Sequence, residues 1–446
     1  MNIHLIAIGG AVMHNLALEL QAIGHTVTGS DDILQEPSRS RLEAAGLLPA
    51  TTGWFPEKIH AGLDAVILGM HARADNPELL KAKEMGLQMY SFPEYVYQYA
   101  SHKKRLVVAG SHGKTTITAM VMHVLRFHKR DFDYLVGSQL AGFERMVRLS
   151  ESAPVMVIEG DEYLTSPLDP RPKFLHYQPH AAVISGVAWD HINVFPTYDS
   201  YLQQFRLLAE SMLPGAILGY YDGDADLVNL VQPYTEKLQL KPYHAADYVL
   251  EDGYIFLKTS LGKIPMQVFG QHNIENVAAA RLLTAEAGIS KEEFYQAIAS
   301  FPGTARRLEC IHRSKDWVVF RDFAHAPSKV KATVAAVREM FPDKKLFALL
   351  ELHTFSSLKR EFLSHYEGSM AGADEAAVYY SPEVVASKKL EAFSKEEVVA
   401  GFAKEGLHVF DEAKKLHAYL DKQSREGVWL LMSSGTFDGF DFKSLL

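Results

Sequence analysis

The chain has 446 residues, of which 48% are hydrophobic and 22% are charged, with a formal net charge of −9. This length is enough for about three domains of roughly 150 residues each, and the composition is that of a globular protein with buried cores. The negative net charge argues against nucleic acid or an anionic membrane as the main partner.

Strands and helices are predicted to alternate along the whole chain. The first unit has strands at HLIAIGG, TVTGSD and DAVILGM and helices at HNLALELQAIG and ELLKAKEMG, and it ends near the charged stretch SHKKR (101–105). The second has strands at LVVAG, VMVIEGD, AAVISGV and AILGYY, a helix from Thr115 to about Phe127 and another over 273–289. The third begins near residue 306, with strands over 317–324, 345–352, 376–381 and 428–434 and a helix over 328–341. This alternation predicts three consecutive α/β domains built on parallel sheets.

Cysteine content and hydropathy favour a cytoplasmic location. The single cysteine, Cys310, excludes an internal disulfide and suits a reducing compartment. No apolar run approaches the roughly 20 residues that span a bilayer. The N-terminal MNIHLIAIGGAV lacks the basic leader and cleavage site of a signal peptide. We therefore expect a cytoplasmic protein.

A glycine-rich turn between a strand and a helix is the strongest functional signal. The stretch LVVAGSHGKTTITAM (106–120) has the strand, turn and helix that a phosphate-binding loop requires. Backbone N–H groups at the start of the helix would bind phosphate oxygens, with Lys114 on the β- and γ-phosphates and Thr115 or Thr116 on Mg²⁺. Val108 stands where the common Walker pattern has a glycine. That substitution leaves open a damaged site, a chance match or a loop of another family.

Acidic residues follow two predicted strands of the same unit. Glu159, Asp161 and Glu162 end one strand, and Asp190 and His191 follow the next. Because ligands bind at the carboxyl ends of parallel strands, both groups are expected beside the phosphate loop. Such residues can also cap helices or face water, but two groups flanking a phosphate loop favour a magnesium site.

Two further segments are compatible with nucleotide binding. GQHNIENVAAA opens a helix with His272, Asn273 and Asn276, whose side chains can read an adenine edge. GTARRLE places Arg306 and Arg307 at a domain boundary, where an arginine can stabilise a transferring phosphoryl group. Each is by itself more typical of a helix cap or a surface charge. Together they predict ATP held between the second and third domains.

Five motifs in this order resemble the Mur ligases, which build the peptide stem of bacterial peptidoglycan: GSHGKTT, EGDE, WDH, GQHNIENVAAA and RRLE. The phosphate loop of that family reads G-T/S-x-G-K-T-T, so Val108 is no defect. The resemblance covers the whole chain. It implies a Rossmann-like domain for a UDP-sugar (1–101), a central P-loop ATPase-like domain (102–305) and a Rossmann-like domain for the acceptor (306–446).

The segment IEGDEYLTSPLDPRPKFLHYQP resembles one subgroup of the family, the murein peptide ligases. These join UDP-N-acetylmuramate to L-alanyl-γ-D-glutamyl-meso-diaminopimelate in peptidoglycan recycling. The subgroup implies an ATP-dependent carboxylate–amine ligase that works through an acyl phosphate and releases ADP and phosphate. The alternative is a UDP-N-acetylmuramate–L-alanine ligase of peptidoglycan biosynthesis, in which the segment typically reads E-A-D-E-S-D and is shorter.

The resemblance also implies roles for the residues at matching positions. The catalytic residues would be Lys114, Glu159, His191 and Arg307, with His191 also a candidate base for the amine proton. Two magnesium ions, without a carbamylated lysine, would use Thr115, Glu159 and His191. ATP would contact Gly110, Ser111, His112, Gly113, Lys114, Thr115, Thr116, His272, Asn273, Asn276, Arg307, Asp322 and His325. The UDP-sugar would contact Gly9, Gly10, Ser30 and Asp31, beside the segment ARADNPE (72–78).

The chain departs from the family pattern at three places. Ala326 replaces the usual second histidine, His14 and Asn15 replace small residues in the first loop, and LTSPLD follows Tyr163 where the subgroup usually has an aspartate. Other functions fit less well. A transporter ATPase needs the extra Walker glycine and a switch GTPase needs N-K-x-D, and the chain has neither. A binding module without catalysis would not be expected to keep Lys114, Glu159 and His191.

Overall fold

The computed structural model describes residues 1–70, 72–166, 168–190, 194–251, 254–305, 307–440 and 442. They group into two compact units, one of Met1–Val187, Leu202–His244 and Ala279–Ala297, the other of Ala188–Tyr201, Ala245–Ala278 and Ile298–Leu446. No helix among the described residues is both long enough and apolar enough to cross a bilayer. The domain boundaries at residues 101 and 305 stay a prediction.

The N-terminal part of the first unit is a four-stranded parallel sheet in the order β2-β1-β3-β4. Of its middle strands, β3 is apolar and fully buried and β1 is buried except at Asn2, as expected of parallel strands with both faces covered. The strands are β1 (Asn2–Ile6), β2 (Thr26–Ser30), β3 (Ala65–Leu68) and β4 (Met89–Ser91). The helices are α1 (Ala11–Ala22), α2 (Ser38–Ala44), α3 (Pro77–Glu84) and α4 (Phe92–Tyr99), with a 3₁₀ turn at Pro56–Lys58.

The same unit contains a seven-stranded sheet and a separate hairpin. The strands are β5 (Lys104–Ala109), β6 (Asp133–Leu135), β7 (Val147–Arg148), β8 (Val155–Glu159), β9 (Leu164–Ser166), β10 (Asp169–Pro172), β11 (Ala181–Ile184), β12 (Ile217–Tyr221) and β13 (Gln239–Tyr243). The sheet order is β13-β12-β11-β5-β8-β6-β7, with β6–β7 the antiparallel pair, and β9 pairs with β10. Because β5 lies between β11 and β8, the phosphate loop that follows β5 is flanked by the ends of both strands. Helices α5 (Lys114–Phe127), α6 (Tyr198–Ser211) and α7 (Ala225–Val231) and 3₁₀ turns at Lys173–His176 and Gln232–Tyr234 complete this region.

The remaining elements include a small antiparallel sheet and a six-stranded sheet. The small sheet has β14 (Tyr248–Glu251), β15 (Tyr254–Thr259) and β16 (Gly262–Met266), and helices α8 (Gln271–Glu286) and α9 (Lys291–Ile298) follow it. The large sheet has β17 (Glu309–Arg313), β18 (Trp317–Asp322), β19 (Leu346–Leu352), β20 (Glu375–Tyr380), β21 (His408–Phe410) and β22 (Gly427–Met432), in the order β17-β18-β22-β19-β20-β21. Its helices are α10 (Pro327–Met340), α11 (Pro382–Ser387), α12 (Lys395–Phe402) and α13 (Ala413–Leu420), with a 3₁₀ turn at Arg360–Tyr366.

The predicted α/β class is confirmed, and two features of the fold were not predicted. These are the β14–β16 sheet and the β9–β10 hairpin. Their strands are short and partly exposed. They therefore lack the continuous apolar runs that mark the buried parallel strands.

Candidate active site

The glycine-rich loop turns sharply between β5 and α5. Gly110 and Gly113 have φ values of 121° and 72°, a region that side-chain-bearing residues rarely adopt. A Cβ at Gly110 would lie 2.4 Å from Ser185 Oγ and 2.6 Å from the Ser185 nitrogen, so the strand end at β11 leaves room for glycine alone. The Ser185 hydroxyl donates to the carbonyls of Ala109 and His112, which fixes the loop to that strand end.

Val108 is part of the strand and does not belong to the loop. It pairs in register with Val183 of β11 and Glu159 of β8 and is fully buried. A glycine there would only weaken the core of the sheet. The chain therefore needs no glycine at this position to make the turn.

Lys114 is the first residue of α5, and its ammonium is held inside the loop. Nζ donates to the Gly110 carbonyl at 2.7 Å and to Glu162 Oε2 at 2.7 Å, and Glu162 is fully buried. Burial by itself lowers the pKa of a lysine, but the carboxylates of Glu162, Asp161 and Glu159 outweigh it and raise the pKa of Lys114 above its ordinary value. Lys114 is therefore a permanent positive charge at the loop.

Thr115 and Glu159 meet at the end of β8. The Thr115 hydroxyl donates to Glu159 Oε1 at 2.6 Å, and the Gly137 N–H donates to Glu159 Oε2 at 2.8 Å. A hydroxyl and a carboxylate are the hard oxygen ligands that Mg²⁺ prefers. Two of the three predicted metal ligands are thus adjacent, and the third, His191, lies outside the described residues, as does Arg306.

The loop also has an unsatisfied donor suited to an anion. The Ser111 hydroxyl is buried without a hydrogen-bond partner among the described residues, although the Ser111 N–H donates to the Gly186 carbonyl at 3.0 Å. Thr116 is buried in the first turn of α5. A buried hydroxyl beside the N-terminus of a 14-residue helix fits a phosphate group.

A cavity of about 210 Å³ opens beside Glu159. Its lining includes Gly10, just before α1, and three charged residues: Glu159, Asp161 and Lys173. The other lining residues are mostly apolar and include Ala7, Ala11, Val12, Met13, Met70, Phe92, Leu135 and Val136. Such a cavity suits a ligand with an uncharged body and a charged end.

The residues predicted to contact a UDP-sugar surround the first loop and are partly engaged with one another. The Gly9 N–H donates to Asp31 Oδ2 at 2.7 Å, and the Ser30 hydroxyl accepts from Lys58 Nζ at 3.0 Å. Burial raises the pKa of Asp31, although hydrogen bonds from the Gly9 and Ile33 N–H groups act in the opposite direction. Of the four, Gly10 lines the cavity.

His14 and Asn15, which depart from the family pattern and were expected in the first loop, lie in α1 and are not among the residues that line that cavity. Asn15 Oδ1 accepts from the Met146 N–H at 3.0 Å and from Arg41 Nη1 at 3.2 Å, and His14 Nδ1 lies 2.9 Å from the Gly10 carbonyl. Asn15 thus joins α1 to the residue before β7, and His14 contacts the residue before α1. The unusual sequence is therefore explained by packing within the first unit.

In the second unit, α8 begins with the predicted adenine-contacting residues. Asn273 Nδ2 donates to the Phe269 carbonyl at 2.9 Å, and Asn276 Nδ2 donates to Asn273 Oδ1 at 3.4 Å. Burial, together with the charge of Arg307, lowers the pKa of His272 to about 4. The imidazole is therefore neutral at physiological pH.

Arg307 and Asp322 form a charged pair of neighbours at the end of β18. The Arg307 guanidinium lies over the Phe323 ring at 4.8 Å. Asp322 accepts from the Leu308 and Ala324 N–H groups, both at 2.6 Å. Burial raises the pKa of Asp322, and the charge of Arg307 opposes that shift. The Asp322 side chain thus fixes the backbone at Leu308 and at Ala324.

The motif at Asp322–Ala326 ends at the start of α10. Ala326 is the N-cap residue of this helix and makes no side-chain cap, and His325 Nδ1 lies 2.9 Å from the Phe323 carbonyl. Asp190, predicted beside the metal, forms an ion pair with Lys329 at 2.9 Å. Burial and the charge of Lys329 lower the pKa of His325 to about 3.

The buried His325 is expected to make folding sensitive to mild acid. Its pKa of about 3 lies below the ordinary value of 6.5. Below pH 6.5 the imidazole is therefore protonated in the unfolded chain but stays neutral in the folded chain. The free energy of unfolding falls as the pH drops, because protonation favours the unfolded chain. At pH 5 the loss is about 2 kcal/mol relative to pH 7. Urea unfolding of wild type and His325→Gln at both pH values should show this difference, and parallel pH profiles would contradict it.

Lys173 and Ser185 are the functional candidates without a predicted role. Glu162 is predicted only as one of a group of possible metal ligands, and its pairing with Lys114 cannot be read from the acidic cluster. Another cluster, Glu94, Asp169 and His176, has the groups to hold a cation. Arg171 donates to both carboxylate oxygens of Asp169, at 2.8 and 2.7 Å, and so already supplies a positive charge there.

Comparisons with known proteins identify the family of the chain. Three family sequence models match: "Mur ligase family, catalytic domain" over residues 2–104, "Mur ligase middle domain" over 108–284 and "Mur ligase, glutamate ligase domain" over 306–435. A UDP-N-acetylmuramate–L-alanine ligase of Lactobacillus delbrueckii subsp. bulgaricus is 30% identical over 430 residues, covering 93% of this chain and 92% of that protein.

Two solved structures share the fold. A murein peptide ligase from Psychrobacter arcticus has a TM-score of 0.66 and 23% identity, covering 100% of this chain and 98% of that one. A UDP-N-acetylmuramate–alanine ligase from Thermotoga maritima has a TM-score of 0.71 and 19% identity, covering 98% and 97%. The chain belongs to the Mur ligase family, whose members are ATP-dependent ligases that form amide bonds.

Proposed function

We propose that the chain uses ATP to join the carboxylate of UDP-N-acetylmuramate to an amine. One observation carries the proposal: Glu159 accepts a hydrogen bond from the Thr115 hydroxyl, beside the phosphate loop, and also lines the cavity. A carboxylate in that cavity would therefore be next to the place where the loop holds a triphosphate. Activation of a carboxylate by phosphoryl transfer requires this adjacency.

In the first step a carboxylate oxygen of the sugar attacks the γ-phosphorus, the bond from that phosphorus to the bridging oxygen breaks, and ADP leaves. Lys114 would exchange Glu162 for phosphate oxygens, and the loop N–H groups from Gly110 to Thr115 would hold the same phosphates. The product is an acyl phosphate. No protein nucleophile is needed, because positioning and charge neutralisation carry such transfers.

Magnesium, when bound, supplies neutralisation of charge between the carboxylate and the triphosphate. Thr115 and Glu159 would hold it, and two ions are proposed, with His191 as the further ligand. In the second unit, His272, Asn273 and Asn276 would contact adenosine. Arg307 would bind the γ-phosphate and, in this proposal, is positioned by Asp322, with His325 beside it.

In the second step the amine attacks the acyl carbon, the carbon–oxygen bond to phosphate breaks, and the amine loses a proton to a base. L-Alanine is the acceptor best supported, because curated relatives matching most of the chain at 29–31% identity are UDP-N-acetylmuramate–L-alanine ligases. Under this proposal the enzyme catalyses an early step of peptidoglycan biosynthesis.

The tripeptide L-alanyl-γ-D-glutamyl-meso-diaminopimelate is the second candidate acceptor. The observation that favours it is the β9–β10 hairpin, formed by the longer segment between Tyr163 and Lys173. That segment resembles the murein peptide ligases and is longer than the version typical of the L-alanine enzymes.

The test is phosphate release from ATP, Mg²⁺ and UDP-N-acetylmuramate with each acceptor in parallel. Turnover with L-alanine alone supports the first acceptor, and turnover with the tripeptide alone supports the second. Omission of the sugar nucleotide is the control and should abolish phosphate release. Silence with both acceptors, or release that needs no sugar nucleotide, would contradict the proposed reaction.

A further inference from the structure

The β9–β10 hairpin brings a lysine into the cavity. Lys173 follows β10 directly, and its N–H donates to the Tyr163 carbonyl at 3.0 Å while the Phe174 N–H donates to the Asp161 carbonyl at 3.3 Å. These two backbone contacts return the chain to the end of β8. Lys173 is 8% exposed, and its side chain lines the cavity together with Glu159 and Asp161.

The side chains that line the cavity include more negative than positive charges. Among the cavity-lining residues within the described ranges, Glu159 and Asp161 are acidic and Lys173 is the one cation. Lys173 Nζ lies 2.5 Å from Asp161 Oδ2 and 5.7 Å from the centre of the Tyr163 ring. The other lining residues are apolar apart from Tyr177, and none of them carries a positive charge that would attract an anion.

An acidic ligand that enters this cavity meets two carboxylates. Without a cation the ligand carboxylate would be repelled, because like charges disfavour one another at short range in a partly buried site. A lysine ammonium has three donors, so Lys173 can keep its ion pair with Asp161 and still donate a hydrogen bond to a ligand oxygen. Asp161 holds the ammonium in place before the ligand arrives.

We propose that Lys173 recognises the carboxylate of the sugar nucleotide and so selects acidic sugar nucleotides over neutral ones. This inference rests on the proposed function and adds a specificity-determining residue to it. Charge-assisted hydrogen bonds in a partly buried site are among the stronger ones. The contribution should therefore be measurable as a binding preference, without any turnover.

The experiment compares two ligands that differ in the acidic group. Calorimetry without ATP measures the affinity for UDP-N-acetylmuramate and for UDP-N-acetylglucosamine, which lacks the lactyl carboxylate. We expect Lys173→Met to lower the affinity for UDP-N-acetylmuramate by about 10-fold or more. The affinity for UDP-N-acetylglucosamine should change by less than about 2-fold. Lys173→Arg should keep part of the preference, and thermal unfolding checks that each variant is folded.

A double variant separates direct recognition from simple neutralisation of Asp161. If Lys173 binds the ligand, the double variant Lys173→Met/Asp161→Asn should still bind UDP-N-acetylmuramate weakly. Asp161→Asn alone should still bind UDP-N-acetylmuramate more tightly than UDP-N-acetylglucosamine. Wild-type affinity in the double variant would overturn the proposal, because Lys173 would then only mask Asp161. An equal loss for both ligands in Lys173→Met would overturn it as well.

The outcomes also separate this proposal from the proposed function. A wild-type protein that neither binds UDP-N-acetylmuramate nor turns it over fails the function and the inference with it. A wild-type protein that binds it and turns it over, with an unchanged preference in Lys173→Met, fails the inference alone.

Discussion

Replacement of Lys114 with methionine is expected to lower kcat/KM for ATP by about 10³-fold. The variant keeps an unbranched side chain at the start of α5 but removes the ammonium that lies between the Gly110 carbonyl and Glu162. It also leaves the Glu162 carboxylate facing the phosphates, which adds repulsion to the lost attraction. Steady-state phosphate release, together with nucleotide binding by calorimetry, measures both effects.

Lys104→Met is the matched control for Lys114. Lys104 begins β5, the strand that leads into the loop, and forms a more exposed ion pair with Glu286 at 2.8 Å. Exposed ion pairs contribute little, so this variant should keep activity within about 2-fold. Activity of Lys114→Met within 10-fold of wild type would show that another group binds the phosphates.

Gly110→Ala is expected to lower the free energy of unfolding of the first unit by about 3 kcal/mol or more and to abolish ATP binding. Two costs add: the φ of 121° is strained for alanine, and the new Cβ would lie 2.4 Å from Ser185 Oγ. The loop would have to move off the end of β11. Urea unfolding and nucleotide titration of the purified variant measure the two consequences.

Gly24→Ala separates backbone strain from the steric clash. Gly24 has a φ of 93°, and a Cβ there would meet nothing within 4 Å. This variant should cost only about 1–2 kcal/mol, the price of the left-handed conformation, and should bind ATP like wild type. Equal destabilisation by the two variants would mean that Ser185 yields easily and that the loop is not fixed by β11.

The phosphate loop could be predicted from the sequence because its recognisable pattern is local. An apolar strand, two glycines and a helix start lie close together in the chain, whereas the Ser185 contacts that fix the loop come from the end of β11 and are visible only in the structure. The α/β class is local in the same sense, since buried parallel strands read as short apolar runs between helical patterns. Val108, the apparent defect, is simply a buried residue of β5.

The partners of the acidic residues could not be predicted from the sequence. EGDE indicates a group of carboxylates at a strand end, yet Glu159 meets Thr115, Glu162 meets Lys114, and Asp161 meets Lys173. These pairs join residues 44, 48 and 12 positions apart. In the same way Asn15 of α1 accepts a hydrogen bond from the Met146 N–H, which is 131 positions away.

The sequence by itself thus determined the fold class, the nucleotide loop and the family to which the chain belongs. Only the tertiary structure decided which charge faces which, because that depends on the order β11-β5-β8 and on the hairpin that returns the chain to the end of β8. Strand order and hairpin return are set by packing between distant segments, and local residue patterns do not encode them. Lys173 shows the difference: in the sequence it is one lysine of a polar segment, and in the fold it is the cation of the cavity.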